Sequence, residues 1–550
     1  MSGATRARQA QVLLIGGGIN GTGIARDLAL RGVSVLLVER REIGSGTSWA
    51  SSGMIHGGLR YLQQDPEVTH HSCLDSGAIQ RIAPHLVFRI PFLMPIFADD
   101  PIGPELVEVG LEMYDAYQPL KNGRPHTRLT PAQALELEPA LSDRLECAFT
   151  LDEWGVDAAR LCVANALDAT GHGARVLTHT EALAPLLSGT GEVVGATVRD
   201  TLTGERFDVH ADLTLNAAGP WVPQVAEMMG ESVIQRPGKG IHLVFERRVS
   251  NLAIYAKGVD GRDMFTFPHE QNSMAGTTDD DYYGDLDRID TTEDEVAYVL
   301  QAMERSIPTI RHHRITHTIQ GVRPTMYGFG SYEDELSRDY AIIDHGREGQ
   351  AQGLFTITGG KLAAYRLMAE DAADQLCARL GNREPCRTAE LPLPGGEEEA
   401  DVGALATRHA IGLPAALRLA FRHGSRADEV LAGADPELRP AKLVCACEPV
   451  LDTELRHVAR TEGLRKLSDC QLRVRLGVGA CQGSGCGASA AGVLAEELGW
   501  DAERTIHELA ELAALRWRAV APVLEGAQVT AMEVHRSVHF GMIGMSGDLP

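Results

Sequence analysis

The most regular pattern of apolar and polar positions lies near the start of this 550-residue chain. Val12 to Ile15 form an apolar run of strand length, and Val33 to Val38 form a second run. Between them, Ala25, Leu28 and Ala29 are spaced as on one face of a helix, so the pattern predicts strand, helix and strand. Similar alternation continues to about residue 390 and predicts an α/β unit.

Glycines follow the first apolar run with the spacing G-x-G-x-x-G, at Gly16, Gly18 and Gly21. This spacing provides a tight turn, lets a pyrophosphate approach the backbone and brings the helix close to the strand. Glu39 stands at the end of the second run, where an acid accepts hydrogen bonds from a ribose diol. An acid there disfavours a 2′-phosphate, so the sequence predicts FAD or NAD rather than NADP.

Two later segments have the form of a strand that runs into a glycine turn. The first, residues 213–221, contains Ala218 and Gly219, and the second, residues 355–361, contains Gly359 and Gly360. A helix that begins after the second turn would aim its N–H groups at the flavin pyrimidine, where negative charge collects on reduction. Either segment alone is more typical of an ordinary strand-to-helix turn without a ligand. Together with the first motif, they favour FAD.

Charge and composition narrow the class of protein. Lysine and arginine total 51 and aspartate and glutamate total 75, which gives a formal net charge of −24. This charge argues against nucleic-acid binding and against simple adhesion to anionic lipid. No run approaches the ~20 apolar residues of a membrane helix, and the first ten residues have no secretory pattern. We therefore expect a cytoplasmic protein whose cysteines are thiols or metal ligands rather than disulfides.

The length of the chain exceeds what one hydrophobic core usually holds. We predict an FAD-dependent oxidoreductase unit in 1–390, containing a nucleotide-binding part and a substrate part. A linker and helical segment should occupy 391–440, a cysteine-bearing domain 441–500, and a C-terminal helix and tail 501–550. Because Leu391–Gly403 is rich in Pro, Gly and Glu, we expect a linker there, across which the two units fold independently.

Four cysteines in this second unit are spaced as metal ligands. Cys445 and Cys447 form C-x-C, and Cys481 and Cys486 form C-x₄-C after a gap of 33 residues. Two close pairs of thiolates suit a tetrahedral zinc ion or a [2Fe–2S] cluster. We prefer the cluster, because it could carry electrons away from a reduced flavin and zinc could not. We expect Cys470 to lie inside a helix. The remaining cysteines show no ligand spacing and are expected to be buried or incidental thiols: Cys73, Cys147, Cys162, Cys377 and Cys386.

Several blocks of the first 390 residues resemble FAD-dependent glycerol-3-phosphate dehydrogenases. They are SSGMIHGGLRYL at 51–62, APHL at 83–86, GTTD at 276–279, GVRP at 321–324 and GGK at 359–361. The C-terminal third resembles the large subunit of the anaerobic enzyme, and its cysteine spacing resembles bacterioferritin-associated ferredoxins. HGGLRY at 56–61 is instead the pattern of the aerobic, membrane-associated homodimer. The chain thus combines features of two forms, and its partner and electron acceptor stay open.

The resemblance implies a Rossmann-like α/β FAD-binding domain with an inserted antiparallel-sheet substrate (cap) domain, followed by a small helical Cys-rich domain. It implies oxidation of sn-glycerol 3-phosphate to dihydroxyacetone phosphate, with hydride transfer to FAD. Electrons would then pass through a [2Fe–2S] cluster to a quinone or to a membrane-anchoring electron-transfer subunit. It also allows a homo-oligomer and a peripheral position on the inner face of the cell membrane.

The expected reaction needs a base for the hydroxyl proton and cations for the substrate phosphate, because the chain as a whole is acidic. His242, in the segment KGIHL at 239–243, is the candidate that could accept this proton near neutral pH. The resemblance adds Arg323 and Lys361 as further catalytic residues. For the substrate, the resemblance implies contacts from Arg60, Tyr61, Arg323 and Lys361. Beside the flavin, it implies Ser51, His56, Gly57 and Lys361.

Two other functions remain open at this point. The first is an FAD-dependent oxidase of glycerol phosphate or of another 2-hydroxy or amino acid, because an α-carboxylate would suit the same arginines. The second is a non-catalytic electron-transfer or redox-sensing subunit, whose partner performs the oxidation. The presence of Arg60, Arg323 and Lys361 argues against this second function.

Overall fold

The computed structural model of the protein describes residues 8–62, 65–269, 271–328, 339–348, 351–433 and 440–542. Its strands are β1 Gln9–Ile15, β2 Val35–Val38, β3 Val87–Phe97, β4 Arg128–Leu129, β5 Leu145–Val156, β6 Arg175–Leu177, β7 Thr180–Leu187, β8 Val193–Asp200, β9 Arg206–Asn216, β10 Gly238–Phe245, β11 Ala253–Lys257, β12 Asp263–His269, β13 Asn272–Gly276, β14 Asp280–Asp281, β15 Ile315–Arg323, β16 Tyr340–Asp344, β17 Leu354–Gly359, β18 Leu443–Cys445 and β19 Val450–Leu451.

The α-helices of the described part are α1 Ile19–Leu30, α2 Pro66–Ile82, α3 Pro104–Asp115, α4 Pro131–Leu137, α5 Ala158–Gly171, α6 Val222–Met228, α7 Glu293–Glu304, α8 Tyr365–Leu380, α9 Val402–Arg408, α10 Leu413–His423, α11 Ala427–Leu431, α12 Asp452–Thr461, α13 Cys470–Val474, α14 Gly487–Leu498, α15 Ala502–Val520 and α16 Ala527–Met542. None of the described helices is long and apolar enough to cross a bilayer.

The first sheet has the strand order β16-β17-β9-β1-β2-β6, and β7 and β8 extend it beside β9. β1 pairs in parallel with β2 and with β9, as the strand–helix–strand pattern predicts. Val12 and Leu14 belong to the core under α1, whereas Leu13 and Ile15 belong to the core on the opposite face. Both faces of β1 are therefore buried, which explains its uninterrupted apolar run.

The second sheet has the order β14-β10-β13-β12-β11-β3-β5-β4, with β15 paired to β10. Its strands come from two stretches of the chain, 87–156 and 238–323, which flank the strands β6 to β9 of the first sheet. All pairs in it are antiparallel except β3 with β11. This arrangement confirms the expected Rossmann-like unit with an inserted antiparallel-sheet domain.

The C-terminal region is mainly helical, as expected. The hairpin of β18 and β19 packs with α12 to α15 around one core, and α9 to α11 form a smaller core beside it. Cys470 is fully buried in the first of these cores, in agreement with its predicted helical position. Leu509 and Leu512 of α15 belong to the same core, so this helix packs with the cysteine region rather than forming a separate tail.

The segment expected as a linker packs closely against the first unit, while independent folding of the two units stays a prediction. Leu393, in the predicted linker, is fully buried in the core of the first unit, and its N–H donates to Ile82 O at 2.7 Å. Buried ion pairs also join the units: Arg160 binds Glu462 at 2.7 Å, and Arg473 binds Glu42 at 2.6 Å. Because a buried charge left without its partner is costly, removing one member of either pair would weaken the contact between the units.

Candidate active site

A cavity of about 490 Å³ lies where the carboxyl ends of the first sheet meet β10 and β15 of the second sheet. Ligands of open α/β sheets bind at this edge, outside the carboxyl ends of the parallel strands. The candidate residues that line the cavity are Gly16, Gly18, Glu39, Ser51, His56, Tyr61, Ala218, Gly219, His242, Arg323, Gly359, Gly360 and Lys361. One cavity thus joins motifs that are up to 345 positions apart in the chain (16 to 361).

The three glycines of the first motif have different structural roles. Gly16 has φ +114°, and a Cβ there would lie 2.6 Å from the oxygen of Ala217. A Cβ at Gly21 would lie 1.9 Å from the oxygen of Gly16, so Gly21 permits the close contact of α1 with β1. A Cβ at Gly18 would meet only the Ser48 hydroxyl, at 3.4 Å. Gly16 and Gly21 therefore serve the fold, and Gly18 leaves space in the cavity.

Glu39 is fixed at the end of β2 by two backbone donors. The Gly17 N–H donates to Glu39 Oε2 at 2.7 Å, and the Arg41 N–H donates to Oε1 at 2.8 Å. The carboxylate therefore stands beside the glycine turn, on the cavity wall. This position suits the adenosine ribose of a dinucleotide whose pyrophosphate meets the N-terminus of α1.

The opposite part of the cavity contains the two later glycine turns. Gly219, Gly359 and Gly360 have positive φ angles of 58°, 82° and 82°, which glycine adopts without strain. The helix expected after Gly360 begins with a 3₁₀ turn, Leu362–Ala364, and α8 follows. The turn lines the cavity from Gly359 to Ala363, although the Gly360 N–H donates to Asp339 O at 2.8 Å.

Arg323 and Lys361 bring positive charge to this end of the cavity. Arg323 Nη1 donates to Asp279 Oδ1 at 2.9 Å and Nη2 to Thr277 Oγ1 at 3.1 Å, so the GTTD segment orients the guanidinium. Lys361 Nζ lies 4.7 Å from the centre of the Tyr61 ring, within the range of a cation–π contact. The arrangement offers an anion two cations on separate elements.

His242 lies on β10 with 2 % of its surface exposed. Its Nε2 is 3.1 Å from the Ser52 hydroxyl, and Nδ1 has no hydrogen-bond partner within the described part of the chain. Burial, and after it the charge of Arg323, lowers the pKa of His242 to about 3. The imidazole is consequently neutral at pH 7, but the expectation that it titrates near neutral pH is wrong, because burial penalises the charged form.

Two predicted cofactor residues do not line the cavity, and one substrate candidate lies outside the described side chains. Gly21 and Gly57 are not among the residues that line the cavity. The Gly57 N–H instead donates to Glu153 Oε2 at 3.3 Å. A Cβ at Gly57 would lie 2.2 Å from the Tyr114 hydroxyl, so this glycine serves packing of the loop. The backbone of Arg60 belongs to the 3₁₀ turn Leu59–Tyr61, but its side chain lies outside the described residues.

Sequence reasoning missed a group of cavity residues near Glu39. Arg40, Arg41 and Trp221 line this end, and Arg40 lies 4.6 Å from the centre of the Trp221 ring. In the sequence, only the position of Arg40 and Arg41 directly after Glu39 could have indicated that they line the cavity. That indication is weak, because arginines in loops are usually exposed charges.

The four candidate ligand cysteines come together in the C-terminal region. Their side chains interact in a row: Cys445 with Cys486, Cys486 with Cys481, and Cys481 with Cys447. A hydrogen bond from Cys486 lowers the pKa of Cys481 to about 4 and that of Cys445 to about 7. The same contacts raise the pKa of Cys486, and burial raises that of Cys447, so only Cys445 and Cys481 favour the thiolate form that binds metal.

Zinc and a [2Fe–2S] cluster both remain candidate occupants of Cys445, Cys447, Cys481 and Cys486.

A second possible ligand group, Glu42, His179 and Asp469, has ligand atoms within 4.8 Å of one another. His179 Nε2, however, is 3.1 Å from Asp469 Oδ2, and Arg473 Nη2 donates to Glu42 Oε1 at 2.6 Å. A guanidinium at this distance opposes the binding of a cation. We interpret the group as part of the ion-pair network between the units.

Comparison with known proteins supports this interpretation of the fold. Residues 11–366 match the family model described as FAD dependent oxidoreductase, and residues 386–505 match that of the C-terminal domain of alpha-glycerophosphate oxidase. An anaerobic glycerol-3-phosphate dehydrogenase chain of Escherichia coli K12 is 34% identical over 98% of both chains. The aerobic glycerol-3-phosphate dehydrogenase of Bacillus subtilis is 32% identical over 76% of this chain and 78% of its own.

Among solved structures, the glycerol-3-phosphate dehydrogenase of Bacillus halodurans complexed with FAD has a TM-score of 0.74 and 26% identity. The similarity covers 95% of this chain and 98% of that one. The aligned part therefore includes most of the C-terminal region as well as both sheets.

Proposed function

This chain belongs to the FAD dependent oxidoreductase family, and we propose that it is a dehydrogenase of sn-glycerol 3-phosphate. The observation that carries the proposal is the meeting of Tyr61, His242, Arg323 and Lys361 in the cavity of the dinucleotide motif. A non-catalytic subunit would not need a neutral base and two cations around one flavin site. The names of the relatives are consistent with the same substrate.

The residues around the cavity fit FAD. Glu39 would bind the adenosine ribose, the N-terminus of α1 the pyrophosphate, and the turns at Gly219 and Gly359–Gly360 the flavin ring. FAD supplies the hydride acceptor of the reaction. The chain contributes the binding contacts and the exclusion of water from the reacting groups.

The substrate phosphate would bind between Arg323 and Lys361, which counter the acidic character of the chain. Asp279 and Thr277 orient the guanidinium, so little reorganisation is needed on binding. His242 would take the hydroxyl proton at Nε2, the atom that already shares a hydrogen bond with Ser52. Loss of this proton to His242, together with loss of the carbon-bound hydride that FAD would accept, would leave dihydroxyacetone phosphate.

We further propose that electrons leave through a [2Fe–2S] cluster bound by Cys445, Cys447, Cys481 and Cys486. The cysteine region contacts the substrate sheet directly: Gln482, next to Cys481, has its Nε2 3.5 Å from His317 Nε2. His317 and Arg323 lie on the same strand, β15, whose end lines the cavity. This contact supports a relay between the two sites.

The expected final acceptor is a quinone or a membrane-anchoring electron-transfer subunit. We expect the protein to work in the cytoplasm or peripherally on the inner face of the cell membrane, where such an acceptor resides, and a homo-oligomer is compatible with this role. The C-terminal match to alpha-glycerophosphate oxidase supports a second candidate, an oxidase that passes electrons to oxygen.

Anaerobic mixing with glycerol 3-phosphate tests the main proposal. The flavin absorbance should bleach without any partner protein, whereas a non-catalytic subunit would bleach only when its partner is added. Reoxidation then separates the two enzyme candidates, because an oxidase forms peroxide as fast as it turns over. Bleaching by another 2-hydroxy or amino acid, but not by glycerol 3-phosphate, would contradict the substrate assignment.

Metal analysis of protein purified without oxygen tests the cluster. We expect iron and the visible absorption of a [2Fe–2S] centre in addition to that of the flavin. Zinc in place of iron would exclude the relay.

A further inference from the structure

An ion-pair cluster surrounds the Glu39 end of the cavity. Arg40 and Arg41 follow Glu39 directly, Trp221 follows β9, and Asp287 comes from the loop between β14 and α7. Asp287 accepts from both terminal nitrogens of Arg40, from Arg41 Nη2 at 3.2 Å and from Trp221 Nε1 at 3.2 Å. One carboxylate of the substrate domain therefore binds three residues of the FAD-binding domain.

The loop that carries Asp287 is braced at several points. The Asp287 N–H donates to Asp285 Oδ1 at 2.8 Å, and the Tyr282 hydroxyl donates to Asp285 O at 2.9 Å. Lys239 Nζ donates to Asp290 O at 2.6 Å and thereby ties the far end of the loop to β10. The carboxylate of Asp287 is thus held in position by the substrate domain.

Asp287 also compensates the charges of the two arginines. Burial lowers the pKa of Arg41 first, the neighbouring Arg40 charge lowers it further, and Asp287 and Glu39 act in the opposite direction. Without Asp287, two guanidiniums would repel each other on one cavity wall. The Trp221 indole, which Arg40 covers at 4.6 Å, would lose the contact that fixes its edge.

We propose that Arg40, Arg41, Trp221 and Asp287 form a clasp that retains the adenosine half of FAD. Arg40, Arg41 and Trp221 line the end of the cavity where Glu39 would bind the ribose, so the adenosine leaves past them. Asp287 ties this wall to the substrate domain, and the wall opens only when its ion pairs break. The inference rests on FAD as the cofactor of the proposed function, and it assigns retention of that cofactor to the interdomain loop.

The test compares the release of FAD from three holoproteins: wild type, Asp287→Ala and Glu304→Ala. The control removes an exposed ion pair of the same domain, Glu304 with Arg311 at 2.9 Å, whose partners are each 44% exposed, similar to the 48% of Asp287. Free flavin fluorescence is followed after dilution. We expect release from Asp287→Ala to be about fivefold faster, as for loss of a small exposed charge network, and release from the control to be unchanged.

Equal release rates for Asp287→Ala and Glu304→Ala would overturn the clasp. A wild-type protein that binds no FAD would instead overturn the proposed function, so the two failures are distinguishable. A double variant, Arg40→Ala with Asp287→Ala, should release FAD more slowly than the product of the two single effects predicts, because the two residues share a direct contact. Full additivity of the two effects would contradict the clasp.

Ionic strength provides a readout that a purely structural role would not affect. Because the clasp is exposed, about 1 M salt should screen it and reduce the difference between wild type and Asp287→Ala. The far-UV circular dichroism of the three holoproteins should stay the same. A difference in release that persists unchanged at high salt would argue for a distortion of the fold rather than loss of the clasp.

Discussion

Gly18 and Gly21 lack a side chain for different reasons, and substitution should separate them. Gly18 has an ordinary φ of −72° and space for a Cβ, so Gly18→Val should fold but bind no FAD, because its methyl groups would occupy the pyrophosphate position. Gly21→Ala should instead lower the free energy of unfolding by about 1–3 kcal/mol through overpacking against Gly16. Flavin content per protein and urea unfolding measure both. Normal flavin content in Gly18→Val would refute the cofactor assignment.

Arg323 should act on the substrate phosphate. Arg323→Ala should lower kcat/KM for glycerol 3-phosphate by the equivalent of about 2–5 kcal/mol, because a desolvated ion pair is lost. The variant also loses the ion pair with Asp279, so stability alone is not diagnostic. Glycerol, which has no phosphate, is the discriminating substrate. An equal loss with glycerol would point to a structural role.

The low pKa of His242 has a kinetic consequence. Because burial lowers this pKa to about 3, the base is already deprotonated throughout the range in which an ordinary histidine titrates. The value of kcat/KM, which reports the free enzyme, should therefore show no decline from this group between about pH 8 and 5. A pH profile with anaerobic flavin reduction as the signal checks it. A limb near pH 6.5 that His242→Asn abolishes would contradict the assigned pKa.

At the scale of elements, the cysteine row joins the β18–β19 hairpin region to the turn before α14. Replacing Cys447 and Cys481 by Ser should remove the iron, because each is expected to donate a thiolate. Flavin reduction by substrate should stay near its normal rate, since the FAD cavity lies in the other unit, while transfer to the native acceptor should fall sharply. Cys386→Ser, at a cysteine outside the row that is partly exposed like Cys481, is the control. If the iron-free variant still passed electrons to its native acceptor at the full rate, the cysteine region would have only a structural or sensing role.

At the scale of the whole molecule, stability depends on charges buried between the units. Glu462 is buried against Arg160, and Arg160 also donates to Arg422 O at 2.9 Å. Glu462→Ala should lower the free energy of unfolding by about 3–5 kcal/mol, because Arg160 would keep a buried charge without its carboxylate. Glu205→Ala, which removes an exposed pair with Arg8, should cost less than about 1 kcal/mol. Similar decreases in the free energy of unfolding in both variants would show that the buried pair adds no more stability than an exposed one.

Local sequence determined the elements whose signal is short in range. The run Val12–Ile15, the spacing of Gly16, Gly18 and Gly21 and the acid at Glu39 predicted β1, α1 and β2, because these elements bury apolar faces at fixed periods. The observed second strand begins at Val35 rather than at Val33, since the Val33 N–H still bonds the end of α1. The cysteine spacing likewise indicated a ligand set before any contact was known.

Contacts between distant segments could be decided only by the tertiary structure. No local pattern shows that Glu462 pairs with Arg160 or that Leu393 packs into the first core, so the chain was expected to divide at its Pro- and Gly-rich segment. The same reason applies to the site. The sequence indicated His242 and Arg323 as candidates, but burial sets the pKa of His242, and Asp279 orients the guanidinium of Arg323. No sequence pattern indicated a role for Asp287, because that role depends on its contact with Arg40, 247 positions away in the chain.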